Sequence, residues 1–193
     1  MKQDVHLLIE TLKDTVSKVD LRIRQIGEFP IDQLNYRERE DSWSVLECIE
    51  HLNRYGRFYI PEITNRLKVY HARTRTDGAK KYYFKSGLLG GYFLKSMLPK
   101  ENLKKMATFQ SMNPIHSQLD LSVIKEFLDQ LEELSQLLNQ INGNELSKIR
   151  TSISITTLIK LKLGDTFQFV INHILRHLVQ VENCIKSSTL DKK

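Results

Sequence analysis

Apolar residues recur every three or four positions along the first part of the chain, and this repeat constrains the fold more than any other feature. The repeat consists of Val5, Leu8, Leu12, Val16, Val19 and Ile23. Residues at this spacing share one face of an α-helix, so the pattern predicts a first helix over about residues 2–26. Pro30 lacks an amide proton and keeps Phe29 out of helical geometry, so the helix is expected to end there.

The same repeat predicts three further long helices, over about residues 44–69, 122–141 and 164–187. The first of these begins with a capping box, in which Ser44 and Glu47 each accept a hydrogen bond from a backbone amide of the first turn. With eight glycines and four prolines, the chain is also short of turn residues for an all-β fold. Four long helices predict an all-α, antiparallel four-helix bundle.

Two other segments are harder to assign from the pattern. Residues 71–118 hold glycines, Pro99 and scattered aromatic residues, which predicts an irregular, partly helical insertion between helices two and three. Residues 147–163 are rich in β-branched side chains, and we predict a short helix there. Because 193 residues fit one hydrophobic core, residues 1–193 are expected to form a single domain.

The cysteine content and the lack of long apolar runs bear on the compartment. Two cysteines, Cys48 and Cys184, are too few for a disulfide framework, so a reducing compartment is expected. The residues after Met1 lack the apolar run of a signal peptide, and no stretch approaches the roughly 18 apolar residues that a membrane span needs. We therefore expect a cytoplasmic protein with no membrane partner.

The positive charge of the chain is concentrated in one segment. Residues 66–105 hold 11 lysines and arginines against two acidic residues, within a chain whose net charge is +6. An excess confined to one region weakens the case for nucleic acid as a partner. The segment could hold an anion, or form a solvated face. As an alternative function, it could bind nucleic acid or an acidic partner in a non-catalytic binding module.

Two histidines on the predicted last helix are spaced to share a metal ion. His173 and His177 stand four residues apart, so they lie on one helical face and their imidazoles can converge on one ion. Two satisfied histidines near the surface would be the plainer interpretation. Phe169 and Leu178 place apolar neighbours around the pair, however, and burial of an unpartnered imidazole costs about 1–3 kcal/mol.

A third ligand must come from another element, and His51 on the predicted second helix is the best candidate. It lies two turns after the capping box, whereas His6 is near the terminus and His71 and His116 fall in or beside the basic segment. Three histidines leave a fourth coordination position open to water, which is typical of catalytic rather than structural zinc sites.

Two stretches of the chain resemble the DinB-like (DinB/YfiT) superfamily. Residues 43–52 read WSVLECIEHL, which resembles the start of helix two in that family, where a tryptophan and a hydroxyl residue precede a metal-binding histidine. Residues 163–166 read LGDT and are followed by the two histidines of the last helix, as in the family. The resemblance implies a four-helix bundle with a divalent metal, usually zinc or nickel, on His51, His173 and His177.

The resemblance also implies an enzyme, but it does not fix the reaction. Some members look like thiol S-transferases that use bacillithiol or mycothiol, and others resemble metal-dependent hydrolases. We therefore expect a metal-dependent enzyme with a small-molecule substrate, for which a low-molecular-weight thiol is one candidate. Glu47, Arg176 and Gln180 lie close enough in sequence to support the ligands or touch a substrate. Helical bundles often pair through a helix face, which would allow a homodimer.

Overall fold

The computed structural model describes residues 2–74, 82–97, 108–114 and 118–190, and this part of the chain is mostly helical. The elements in chain order are β1 (Lys2–Asp4), α1 (Val5–Gly27), α2 (Ile31–Leu34), α3 (Val45–Arg73), β2 (Tyr83–Lys85), α4 (Leu88–Met97), a 3-10 helix (Gln110–Met112), α5 (Ser122–Asn139), α6 (Gly143–Lys148), β3 (Arg150–Ile153), β4 (Thr156–Lys162) and α7 (Leu163–Leu190). None of the helices in these ranges is long and apolar enough to cross a membrane.

The first helix buries the face that the apolar repeat predicts. All six residues of the repeat are at most 8% exposed, and Ile26 extends the buried stripe by one more turn. The helix starts slightly later than predicted, because Asp4 acts as its N-cap and accepts a hydrogen bond from the amide of Leu7 at 3.0 Å. The residues before it form β1, which pairs antiparallel with β2.

The helix that carries His51 begins at the predicted capping box. The amide of Glu47 donates to Oγ of Ser44 at 3.2 Å, and the amide of Ser44 donates to the Glu47 carboxylate at 2.8 Å. The helix runs to Arg73, past Pro61 and slightly beyond the predicted end. Ser44 and Glu47 are both fully buried, so the start of α3 is fixed inside the protein rather than at its surface.

The four long helices contact one another in pairs. Helix α3 packs against α5 and α7, and α1 packs against the same two helices. Helices α3 and α7 are antiparallel, because Sγ of Cys184 donates to the carbonyl of Trp43, just before α3, while Tyr59 further along α3 contacts Phe169 near the start of α7. The end of α1 meets the start of α5, where a Cβ at Gly27 would lie 3.6 Å from the side chain of Ile124. That pair is therefore antiparallel as well.

The other two helix pairs, α3 with α5 and α1 with α7, are parallel. This differs from the fully antiparallel bundle that the sequence predicted. Along α3 and α5, Asn53 bonds the carbonyl of Val123, and Arg57 pairs with Glu126. Along α1 and α7, Arg22 pairs with Glu182, and Gln3, just ahead of α1, bonds Gln168. Parallel neighbours need a connection that returns the chain to its starting end. The long segment between α3 and α5 has this role, and β2, α4 and the 3-10 helix lie within it.

The predicted short helix over residues 147–163 is wrong. Most of this segment forms an antiparallel hairpin of β3 and β4, with Arg150 opposite Lys162 and an irregularity at Ser152 and Ile153. The β-branched side chains explain the outcome, because they lose rotamer freedom in a helix and pack well on a pleated surface. The helical turn lies just before the hairpin, in α6, where Asn142 forms a second capping box with Glu145.

Helix α4 and strand β2 lie close against the start of α7 because one glycine at each contact lacks a side chain. A Cβ at Gly90 would overlap the carboxyl group of Asp165, which is 1% exposed and accepts a hydrogen bond from the amide of Gly87 at 2.9 Å. A Cβ at Gly164 would meet the buried ring of Phe84 at 2.7 Å. This close approach holds α4 beside the part of α7 that precedes the histidines.

Two alanine substitutions in α4 test this contact. We expect Gly90→Ala to lower the free energy of unfolding by about 1–3 kcal/mol, because the added methyl group displaces a buried carboxyl group. Gly91→Ala is the matched control: its Cβ meets nothing within 4 Å, and alanine favours a helix by up to about 1 kcal/mol. Urea unfolding measures both. Equal stability of the two variants would contradict the close packing at Gly90.

Candidate metal centre

The structure brings His51, His173 and His177 together between two antiparallel helices. His173 and His177 stand one turn apart on α7, and His51 faces them from α3. The Nε2 atom of His173 lies 3.0 Å from that of His177 and 3.3 Å from that of His51. One ligand atom from each of the three residues lies within 4.8 Å of the others, so the three buried histidines could hold a metal ion.

The surroundings of the three histidines keep them uncharged. They are 2%, 5% and 9% exposed in chain order, and the rings of Trp43 and Tyr55 lie against them. Burial lowers the pKa of His51 to about 4 and that of His177 to about 3. Burial also lowers the pKa of His173 well below its usual value, and the other two histidines lower it further. All three are therefore neutral imidazoles, the form that binds metals.

Hydrogen bonds at the outer nitrogens decide which nitrogens face inward with a lone pair. Nδ1 of His51 lies 2.6 Å from the carbonyl oxygen of Met112, which can only accept, so this nitrogen carries the proton. Nδ1 of His177 donates in the same way to the side-chain oxygen of Gln180 at 3.1 Å. A neutral imidazole has one ring proton, so the Nε2 atoms of His51 and His177 both present lone pairs.

These lone pairs fit a cation. The inner nitrogens of His51 and His177 both face Nε2 of His173, which carries at most one proton and can donate it to only one of them. At least one inner lone pair is therefore left facing another nitrogen at short range. A divalent ion at the centre would accept all three lone pairs, and three imidazole nitrogens with oriented outer nitrogens are a typical donor set for zinc or nickel.

Arg54 supports this arrangement, although no sequence pattern indicated such a role. It lies on α3 one turn after His51, and its Nη1 donates to the carbonyl of Asn113 at 2.8 Å and to that of Ser111 at 3.3 Å. These two residues flank Met112, whose carbonyl receives the proton of His51. Nε of Arg54 is held in turn by Glu50 at 3.1 Å. Arg54 therefore fixes the backbone that orients the first ligand.

Substitution of Arg54 should weaken metal binding without removing a ligand. We expect Arg54→Ala to lower the affinity for zinc about tenfold, because outer groups that orient a histidine typically contribute a factor of this order. The matched control is Arg66→Ala, which removes an arginine from the same helix and the same type of pair with a glutamate four residues earlier. Competition with a chromophoric chelator measures both affinities. Equal affinities for the two variants would contradict the positioning role.

The three histidines lie in the wall of a cavity of about 790 Å³ that extends between α3 and α7. Arg176 and Gln180 line the same cavity. Gln180 contacts a candidate ligand directly, through Nδ1 of His177. The positive charge of Arg176 contributes to the low pKa of His173 and His177. An ion on the histidines would therefore face a space large enough for a small molecule.

Glu47 lies at the start of α3, where the capping box and Arg37 hold its carboxylate. Besides the capping box, its carboxylate forms two hydrogen bonds with Arg37, at 2.8 and 2.7 Å. These contacts account for a fully buried carboxylate. A role for Glu47 as an outer support of the metal site stays a prediction.

The two cysteines contact each other beside the site. Cys48 is buried, and Cys184 is half-buried and lines the cavity. Burial raises the pKa of the Cys48 thiol, whereas a hydrogen bond with Cys48 lowers the pKa of Cys184. Within the described ranges, the cluster that could hold an ion contains the three histidines and neither cysteine.

The other candidate ligands lie elsewhere. His6 is exposed, and His71 pairs with Glu145 at 3.1 Å. His116 falls outside the described residues, as do residues 75–81 and 98–105 of the basic segment. The described part of that segment contributes aromatic side chains, Tyr92 and Phe93, to the cavity.

Comparison with known proteins identifies one family that the sequence matches. The sequence model of the DinB superfamily matches residues 22–181, a range that includes all three histidines. The comparisons with curated proteins and with solved structures find no match.

Proposed function

The chain belongs to the DinB superfamily, and from this premise we propose that it is an enzyme that uses one zinc or nickel ion on His51, His173 and His177. The observation that carries the proposal is the convergence of three neutral imidazoles, two with their protons directed outward, at the wall of an open cavity. We further propose that the four long helices form a four-helix bundle and that residues 1–193 are one domain.

The residues of the chain suggest how such a site would work. An ion with three histidine ligands keeps an open position, at which it lowers the pKa of a bound water or thiol. Arg176 lines the cavity next to the ligands and would attract an anionic group of a substrate. The pKa of Tyr55 is raised to about 12 by burial, so its phenol stays protonated and can donate a hydrogen bond to a bound molecule.

The carboxylates near the cavity favour thiol transfer over hydrolysis. Metal-dependent hydrolases commonly also use a carboxylate that takes the proton of the attacking water and passes it to the leaving group. Among the described residues, the carboxylates that line the cavity are Glu38 and Asp41, and both lie against Arg39 at 3.7 and 3.2 Å. A thiol is acidic enough that the ion alone would hold it as the nucleophilic thiolate, without such a carboxylate. We therefore propose transfer of a low-molecular-weight, bacillithiol-type thiol to a small electrophile.

Metal content tests the site. Tag-free protein incubated with zinc or nickel and then dialysed should retain about one equivalent by mass spectrometry, and His173→Ala should retain close to none, because a three-ligand site that loses one ligand binds weakly. His6→Ala is the control, since His6 is exposed and remote from the cluster. Wild-type protein that takes up no metal would contradict the proposal.

The reaction needs a second measurement. Metal-loaded protein should accelerate addition of a bacillithiol-type thiol to a fluorogenic electrophile, and the acceleration should disappear in His173→Ala. Turnover of an ester or amide by the loaded protein, without any thiol-dependent activity, would favour the hydrolase.

A further inference from the structure

The cavity is a groove with the histidines in its middle. One face of α7 lines it, through Phe169, His173, His177, Gln180, Cys184 and Ser187. Eighteen residues separate the first from the last, which corresponds to about 27 Å at 1.5 Å per residue. Trp43, His51, Tyr55 and Tyr59 line the opposite side in the reverse order, since α3 is antiparallel to α7. The groove therefore extends in both directions from the candidate metal centre.

One end of the groove is aromatic and aliphatic. Phe169 stacks on His173 at 6.0 Å, and Phe93 of α4 meets Phe169 edge-on at 6.0 Å. Ile153 and Leu161 of the hairpin complete this end. The hydroxyl of Tyr59 already accepts a hydrogen bond from the amide of Ser154. Among the described residues that line the groove, those at this end carry no charge.

The other end is polar. Arg39, with Glu38 and Asp41 beside it, lines the groove there, and Asn183 and Ser187 lie on the last turns of α7. A charged group of a ligand would remain hydrated at this end and could pair with these charged side chains. The same group at the aromatic end would lose its hydration without a partner, which costs several kcal/mol. The two ends therefore suit two different parts of one ligand.

We propose that the electrophilic substrate carries an aromatic or alkyl group that lies between Phe93, Phe169 and the hairpin. This inference rests on the proposed function, because the reacting atom of the substrate would sit at the histidines. The apolar group then extends past His173, and the polar part of the bound molecules lies on the Arg39 side. Substrates that bury more apolar area at this end would bind more tightly.

The inference can be tested with two series of ligands of increasing chain length. Straight-chain hydroxamates from two to eight carbons bind a metal through their head group, and the carboxamides of the same lengths do not depend on one. We expect the affinity of zinc-loaded protein for hydroxamates to rise about three- to fourfold per added methylene until the apolar end is filled. Metal-free protein should show a similar slope with the carboxamides. Isothermal titration calorimetry measures both.

Two variants test whether the apolar group of the ligand binds at the aromatic end of the groove. Phe93→Ser should flatten the dependence of the hydroxamate affinity on chain length. Leu88→Ser is the matched control, because Leu88 lies on the same helix but is 98% exposed. If Phe93→Ser does not fold, Ile155→Ser serves instead, since Ile155 also lines the groove and is 51% exposed.

The two series separate the inference from the proposed function. Affinities that do not change with chain length in either series would overturn the inference, whether or not zinc raises the affinity for the two-carbon hydroxamate. A rising slope in both series, together with an affinity for the two-carbon hydroxamate that zinc does not change, would support the apolar end and overturn the metal-dependent function.

Discussion

Three imidazoles that converge on one point are the constraint around which the structure is arranged. Burial keeps His51, His173 and His177 neutral, and the acceptors at their outer edges direct the protons of His51 and His177 away from the centre. Nε2 of His173 lies 3.0 Å from that of His177 and 3.3 Å from that of His51, and its proton can bridge only one of these two pairs, whereas a cation would stabilise both. A metal ion bound at this point would make the buried cluster favourable.

The fold supplies this arrangement through the order of its helices. Because α3 and α7 are antiparallel neighbours, a histidine two turns into α3 meets two histidines in the middle of α7. Because α3 and α5 are parallel, the segment between them returns the chain to its starting end, and the described parts of this segment place α4 against α7 and the Met112 carbonyl against His51. The connection that looked irregular in sequence therefore builds both the aromatic end of the groove and one support of the site.

The sequence predicted the parts of the structure that follow from local rules. The apolar repeat of α1, the capping box at Ser44 and the shared face of His173 and His177 all depend on residues a few positions apart. The hairpin was missed because periodicity does not separate a strand from a helix in a short β-branched run. The parallel helix pairs were missed because they depend on contacts between distant segments. Arg54 was missed for a similar reason, since its importance lies in two carbonyl groups more than 50 residues away.

X-ray absorption at the zinc edge tests the central claim most directly, because it counts and identifies the atoms bound to the ion. For zinc-loaded protein the account predicts three imidazole nitrogens at about 2.0–2.1 Å with one further oxygen ligand, and no sulfur. A sulfur scatterer at about 2.3 Å would show that Cys48 or Cys184 binds the ion and would contradict a centre built from His51, His173 and His177.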